Sequence, residues 1–253
     1  GKHRPKFSEL KKALNEGLYL VAIMSLLLVA IGPLGQVMLT TNLSGKLGAM
    51  LVHYLPDTQI LLLAGTMVVS LIIGMGMPTP VAYIIVALAL VPFMQQIGIP
   101  QLQAHFFAFY FAVFSTLTPP VAVSVLAAAK LSGARLNVTA IDSMKIACTT
   151  FIIPFAFVFR PELMSFPEIS MATLKTVVLV LIMQIAVAAA NYAYLFKSLV
   201  LVERIFLWGA FAALFTYLVD GGELLMWLGI GVLSLQAVFG LVKRGPDSTS
   251  SSA

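Results

Sequence analysis

Two short stretches of an otherwise apolar sequence combine helix-breaking residues with hydroxyl groups. The first is GMGMPTP at residues 74–80, and the second is TLTPP at residues 116–120. Glycine and proline interrupt helices, and a helix end leaves carbonyl and amide groups without partners inside the helix. Carbonyl and hydroxyl oxygens can replace the water around a small hard cation such as Na⁺, and a helix N-terminus can hold a carboxylate. Both stretches are therefore candidate sites for an ion or an organic anion.

Capping rules predict where the helices stop and resume. At the first stretch a helix ends at Gly74, and the next begins with Thr79 as N-cap and Pro80 at the first helical position. At the second, a half-helix ends near residues 115–117, and the next begins with Thr118 as N-cap and Pro119 at the first position. A structural kink with a loop would explain either stretch alone. The repetition of a Thr-Pro helix start in two apolar surroundings favours a pair of functional breaks.

The composition indicates that lipid is the solvent of this chain. Of its 253 residues, 60% are hydrophobic and 10% are charged, and the mean hydropathy is +1.01. Soluble domains carry roughly 25% charged residues. The net charge of +5 is spread over short loops between apolar runs, which argues against nucleic-acid binding. The single cysteine, Cys148, excludes an intrachain disulfide and a cysteine-rich metal site.

The apolar runs predict an all-α integral membrane protein built as a multi-span bundle. A helix needs about 20 apolar residues to cross about 30 Å of hydrocarbon. Five runs suit such spans, at residues 18–40, 144–159, 172–196, 199–219 and 222–242. Two shorter runs, 59–73 and 81–95, flank GMGMPTP and reach about 22 Å each as helices. They favour a re-entrant hairpin over 59–95, although two full spans would leave the same sidedness, and the run 102–131 reads as a broken helix.

The runs divide the chain into four parts. These are a basic amphipathic cytoplasmic lead-in (1–17), a unit with one hairpin and one broken helix (18–165), three C-terminal transmembrane helices (166–243) and a disordered tail (244–253). A basic lead-in that is merely solvated would explain residues 1–17 equally well. With the N-terminus in the cytoplasm, only Lys46, Arg160 and Lys175 of the 15 basic residues fall outside, as the positive-inside rule requires.

Three sequence segments carry a resemblance to a known family. They are GMGMPT at 74–79, AHFFAFYF at 104–111 and TPPVA at 118–122, in that order and spacing. The chain closely resembles the large membrane subunit of tripartite ATP-independent periplasmic (TRAP) transporters, and looks most like the fused permeases of the TAXI type. The resemblance covers roughly residues 10–165. The last 80 or so residues match only as the extra helices that such fused permeases often carry.

The resemblance implies a Na⁺-driven secondary importer in the cytoplasmic (inner) membrane of a bacterium or archaeon. A periplasmic solute-binding protein would deliver an organic acid or amino acid. A transport domain with two inverted repeats, each holding a re-entrant hairpin and a broken helix, would move like an elevator. This chain then corresponds to the C-terminal half, with the second repeat. Either another permease polypeptide supplies the missing N-terminal half, or the chain is a fragment.

The resemblance also assigns site residues. The hairpin tip would consist of Gly74, Met75, Gly76, Pro78 and Thr79. The facing break, with Na⁺ between it and the tip, would consist of Ser115, Thr116, Thr118, Pro119 and Pro120. Among these, the candidate Na⁺ ligands are Gly74, Gly76, Thr79, Thr116 and Thr118. Pro80 stands where the family commonly has a second threonine, so one possible hydroxyl ligand is missing.

The alternative function is a non-transporting membrane assembly subunit or a membrane enzyme. An enzyme needs paired His, Asp or Glu near a membrane face, and the sequence shows no such pair, no nucleophile with its base and no phosphate-binding loop. We therefore expect no enzyme and no organic cofactor. His105 near the outer end of the broken helix is expected to pack at the interface rather than relay protons. Ion coupling through neutral oxygens fits this sequence better than coupling through a carboxylate.

Overall fold

The computed structural model describes residues 6–55, 58–164, 170–195 and 197–242. These residues are almost entirely helical, with one antiparallel pair of two-residue strands, β1 (Tyr194–Leu195) and β2 (Lys197–Ser198). The helices are α1 (Phe7–Thr40), α2 (Leu43–Tyr54), α3 (Gln59–Gly74), α4 (Thr79–Gln96), α5 (Gln101–Ser115), α6 (Val123–Ser132), α7 (Leu136–Thr150), α8 (Ile152–Phe159), a 3₁₀ turn (Pro161–Met164), α9 (Met171–Tyr192), α10 (Leu201–Asp220) and α11 (Glu223–Val242). The tail predicted at 244–253 and the first five residues of the lead-in lie outside the described residues.

Within these residues, four helical segments are long and apolar enough to cross a membrane. They are Thr79–Gln96, Leu136–Phe159, Met171–Tyr192 and Leu201–Asp220, the second being α7 and α8 together. Gln59–Gly74 and Glu223–Val238 are apolar but shorter. The all-α, multi-pass membrane class predicted from the sequence is confirmed at this level.

The hairpin prediction depended on two arms too short to span, and this holds for one arm only. The first arm, α3, has 16 residues, whereas α4 has 18 and counts among the membrane-crossing helices. The second arm was expected to begin its helix at Pro80, but the helix begins one residue earlier, at Thr79. Proline fits the first helical turn because the N–H that it lacks has no helical partner there. The re-entrant path of α3 and α4 therefore stays a prediction.

The two largest of four hydrophobic clusters in the described residues form most of the core. In the first, α4 and α5 supply the central buried side chains, including Phe107 and Phe111, and α8 adds Phe155. In the second, α8 packs with α9, α10 and α11 around Met183 and Leu214. The aromatic run at 106–114 packs against α8, with Phe107 and Phe155 ring centroids 5.3 Å apart. Phe107 and Phe111 of this run are fully buried and therefore serve packing.

Two hydrogen bonds between helices show that the α7–α8 segment, α9 and α10 alternate in direction. At one end, Arg160, which follows α8, donates from Nη2 to the carbonyl of Tyr217 in the last turn of α10. At the other, Asn191 in the last turn of α9 donates to the carbonyl of Lys145 in α7. Successive helices therefore run in opposite directions, as alternating membrane spans must.

Candidate functional site

The first break is a tight turn of four residues between α3 and α4. Helix α3 ends at Gly74, and Gly76 takes a φ of +76°, a conformation that favours glycine. The N-cap of α4 is Pro78, so the prediction that Thr79 is the N-cap is wrong. Pro78 is extended, at φ −59° and ψ 142°, and its carbonyl accepts the amide of Ala82. Thr79 is therefore the first helical residue, and its hydroxyl forms no hydrogen bond within the described residues.

The second break is longer and is built differently. Helix α5 ends at Ser115, and α6 begins only at Val123 with Ala122 as N-cap, so Thr118 as N-cap and Pro119 as first helical residue are both wrong. A cap at Thr118 would need the amide of residue 120 or 121. Residue 120 is Pro120, which has no N–H. Thr118 instead donates its hydroxyl backwards to the carbonyl of Phe114, at 2.9 Å.

Two backbone features complete the second break. The peptide bond between Pro119 and Pro120 is cis, and Ala122 has a φ of +40°. A non-glycine residue in this left-handed region is uncommon. Ser124, in the first turn of α6, donates its amide to the carbonyl of Thr116 at 3.2 Å and its hydroxyl to Thr116 Oγ1 at 3.1 Å. These two bonds tie the start of α6 back to the end of α5.

The structure brings the two breaks into contact. Gly74 and Ser115 are both buried, and a Cβ placed on Gly74 would fall within 2.7 Å of Ser115 Cβ and closer still to its Oγ. A Cβ on Gly76 would lie 3.3 Å from Val121 Cγ1. The two breaks therefore touch at two points. Gly74 lies against Ser115, and Gly76 lies against Val121. Only glycine at position 74 leaves room for this approach.

The hydroxyl groups of the second break direct their protons away from the space between the breaks. Ser115 Oγ donates to the carbonyl of Ala112 at 2.6 Å, and Thr116 Oγ1 donates to that of Val113 at 2.8 Å. Thr118 Oγ1 likewise donates to a preceding carbonyl, that of Phe114. A hydroxyl that donates its proton keeps oxygen lone pairs to accept a hydrogen bond or bind a cation. The break therefore presents oxygen atoms as acceptors.

Backbone groups at the first break complement these oxygens. Within the described residues, no hydrogen bond ends on the carbonyls of Met75, Gly76 or Met77, and none starts from the amides of Thr79 or Val81. The carbonyls lie in the turn directly after the negative, C-terminal end of α3, and the amides carry the positive end of the α4 dipole. No charged side chain occurs at 74–80 or 115–124. Such a site can bind a small cation and the carboxylate of an anion side by side.

Some of the predicted site residues have no observed contact with the other break. Met75, Pro78, Pro119 and Pro120 lie in the two turns, and no hydrogen bond in the described chain connects Thr79 to the threonines of the second break. The sequence analysis did not identify Val121, Ala122 or Ser124. Ser124 is the one polar residue among the first seven residues of α6, and this is the signal that could have found it.

His105 lies away from the breaks. Its Nδ1 is 3.0 Å from the hydroxyl of Tyr83, and both residues line an aromatic cavity between α4 and α5. This position agrees with the packing role predicted from the sequence. The described residues also contain no cluster of three His, Cys, Asp or Glu side chains that could hold a metal ion.

Comparison with known proteins identifies one family. The sequence model described as "Tripartite ATP-independent periplasmic transporter, DctM component" matches residues 2–169, more than half of the chain. No curated protein and no solved structure matches the chain. The matched region includes both breaks and ends before α9 begins.

Proposed function

Since the chain belongs to the DctM family of tripartite ATP-independent periplasmic transporters, we propose that it couples Na⁺ influx to the import of an organic acid or amino acid. Membership makes the chain a membrane permease component rather than an enzyme. It also implies a periplasmic binding protein and a small permease subunit as partners. The binding protein would deliver the substrate to the site between the two breaks.

The approach of Gly74 to Ser115 carries this proposal. It places the C-terminal ends of α3 and α5 side by side, although the two residues are 41 positions apart in the chain. Non-helical backbone at membrane depth is tolerated where it is buried in protein or lines a cavity. Two such segments in contact supply more unpaired oxygens than either turn could alone.

Neutral oxygens would hold the Na⁺ ion. We assign the carbonyls of Gly74 and Gly76 and the hydroxyls of Thr79, Thr116 and Thr118 as candidate ligands. The free amides at the start of α4 would bind the carboxylate of the substrate, since helix N-termini attract anions. The positive charge of the bound Na⁺ would then offset the negative charge of the substrate. Na⁺ binding and substrate binding would therefore favour each other.

We further propose that α3–α6 form one repeat of a TAXI-type permease, with α3 and α4 as the re-entrant hairpin. A second, inverted repeat would face it, supplied by an N-terminal half beyond this sequence or by another chain. Elevator-like movement would require both repeats. The protein would lie in the inner membrane with its N-terminus in the cytoplasm, as the bias of Lys and Arg favours.

Sodium binding can be tested on the chain by itself. A ligand that binds only the folded state stabilises it by RT ln(1 + [L]/Kd), about 1.4 kcal/mol at ten times Kd. We expect NaCl to raise the thermal unfolding temperature in detergent relative to equimolar KCl or choline chloride. Equal unfolding temperatures in the three salts, up to molar concentration, would place the ion site outside this chain.

Uptake by the complete permease with its binding protein tests the assigned ligands. Thr79→Val and Thr118→Val remove a hydroxyl while roughly keeping the shape, and each should raise the Na⁺ concentration for half-maximal uptake about tenfold, the effect of losing one interaction of about 1.4 kcal/mol. Thr118→Ser, which keeps the hydroxyl, should restore uptake. Thr139→Val is the matched control, since Thr139 in α7 also donates its hydroxyl to a carbonyl four residues earlier, that of Arg135. Unchanged Na⁺ dependence in both test variants would contradict the assignment.

A further inference from the structure

A groove between α9 and α11 lies apart from the two breaks, outside the residues matched by the family. It has a volume of about 360 Å³. Its walls are apolar apart from one lysine, and the residues used below are Met171, Leu174, Lys175, Val178, Ile182 and Trp227. Most of these side chains are exposed, including Met171 and Trp227. No described segment of the chain fills the groove.

The shape of the groove suits an extended hydrocarbon chain. Its lining residues on α9 run from Met171 to Ile182, which spans about 16 Å along the helix axis. That length is about half the thickness of the hydrocarbon core of a bilayer. Because Met171–Tyr192 is a membrane-crossing helix by length and composition, the groove runs from the membrane boundary toward the midplane.

One cation stands at the boundary end of the groove. Lys175 lies in the second turn of α9, is exposed, and takes part in none of the salt bridges of the described residues. Its Nζ lies 5.8 Å from the centroid of the Tyr217 ring. Arg160 lies over the same ring but already donates to the Tyr217 carbonyl at 2.7 Å. Lys175 therefore remains available, and a lysine at this depth extends its ammonium group toward the headgroups.

We propose that this groove binds one acyl chain of an anionic phospholipid, whose phosphate pairs with Lys175. The apolar walls match the acyl chain, and the lysine matches the negative charge of the headgroup. A free phosphate ion would leave the apolar walls without a ligand. Trp227 beside the groove has the position of an interfacial aromatic residue.

Fluorescence of Trp227 gives a direct test. The chain has two tryptophans, and Trp208 lies outside the groove against Phe211. The full chain with Trp208→Phe would be placed in vesicles that contain brominated phosphatidylglycerol or brominated phosphatidylcholine at equal mole fraction. One lysine near an anionic lipid is worth about 1 kcal/mol, so quenching should indicate about fivefold tighter binding of the phosphatidylglycerol.

Variants separate this site from general attraction to the membrane surface. Lys175→Gln should abolish the fivefold preference and Lys175→Arg should keep it, whereas Lys145→Gln, a lysine toward the other end of the bundle, should leave it unchanged. The protein with Trp227→Phe, which reports from Trp208, should show no preference. Equal quenching by the two lipids, or a preference that survives Lys175→Gln, overturns the proposal. So does a preference abolished by excess inorganic phosphate at constant ionic strength, which would indicate a simple phosphate site.

Discussion

Around the two breaks, the ends of α3 and α5 meet through small residues, whereas the C-terminal helices, which also approach closely at Gly229, are joined in addition by long polar side chains. Gly74 lies directly against Ser115 where α3 and α5 end. In the C-terminal part, Arg160 reaches the Tyr217 carbonyl at 2.7 Å, and Arg204 Nε reaches the Ala190 carbonyl at 2.8 Å. In the first region the serine and threonine hydroxyls bond within their own helix or break.

Because of this difference, the helices around the two breaks can move relative to one another, whereas the C-terminal helices are held in fixed positions. Side-chain bonds from one helix to the carbonyl of another hold the helices in one register. Hydroxyls that bond locally stay in place when a neighbouring helix moves, and they keep their oxygens for a ligand. Two side-chain bonds in the first region depart from this pattern: Tyr83 and His105 join α4 to α5, and Tyr110 of α5 donates its hydroxyl to the carbonyl of Thr150 in α7. We therefore expect the contact between the breaks to be sensitive to size and the polar contacts of the C-terminal helices to be sensitive to the loss of their hydrogen bonds.

Gly74→Ala should give the largest effect. The added Cβ would meet Ser115, whose buried backbone and short side chain cannot move aside. Overpacking of a buried contact costs about 1–3 kcal/mol, and the upper part of this range, about 2–3 kcal/mol, is expected here. The free energy of unfolding would be measured by denaturant titration in detergent micelles, followed by circular dichroism. Na⁺-dependent stabilisation should weaken in the same variant, because the breaks would be pushed apart.

Two further variants isolate the steric cause. Gly209→Ala is the control, since a Cβ on Gly209 in α10 meets nothing within 4 Å and alanine is the better helix former. It should leave stability unchanged or raise it slightly. Ser115→Gly combined with Gly74→Ala should recover at least 1 kcal/mol relative to the sum of the single changes, as coupled neighbours do. If the changes in unfolding free energy of the two single variants simply added up in the double variant, positions 74 and 115 would not be in contact.

Much of this region could be predicted from local signals. Gly74 and the Gly-Met-Pro turn after it interrupt a helix whatever surrounds them, so the end of α3 could be located from sequence. The start of α6 could not. Thr118 and Pro119 look like an N-cap and a first helical residue, but Pro120 lacks one of the two N–H groups that could bond to such a cap, and the turn closes through a left-handed Ala122 instead.

The contacts between distant residues had no local signal at all. Nothing in the sequence pairs Gly74 with Ser115, because this contact arises from how α3 and α5 pack. The same is true of the groove between α9 and α11, whose lysine looks like an ordinary interfacial residue when read alone. The sequence thus predicts which residues can bind, and the packing of helices decides which of them meet.

Arg160→Met should give an intermediate effect. The change removes a charge-assisted hydrogen bond to Tyr217, worth about 1.5–3 kcal/mol, and the contact of the guanidinium with the Tyr217 ring. It also removes a buried Nε that has no hydrogen-bond partner, which offsets part of the loss. A net decrease of about 1–2 kcal/mol in the free energy of unfolding is therefore expected, measured in the same titration. Arg135→Met, at an exposed position before α7, should change it little, and an equal loss in both variants would argue against the helix-end contact.

Gln236→Leu should give the smallest effect, although it also removes a bond between two helices. Gln236 Nε2 in α11 donates to the carbonyl of Glu203 in α10 at 2.9 Å, while its Oε1 is buried without a hydrogen-bond partner. Hydrogen bonds between transmembrane helices contribute about 0.6 kcal/mol on average, and loss of the unpaired Oε1 compensates in the opposite direction. Leucine has a similar volume, so the unfolding free energy should stay within about 0.5 kcal/mol of the parent. Gln236→Ala, which leaves a cavity, is the matched comparison and should cost at least 1 kcal/mol more. If Gln236→Leu instead destabilised the protein as much as Arg160→Met does, the polar contacts between the C-terminal helices would contribute equally to stability. The difference between the region of the breaks and the C-terminal helices would then have to be explained by packing alone.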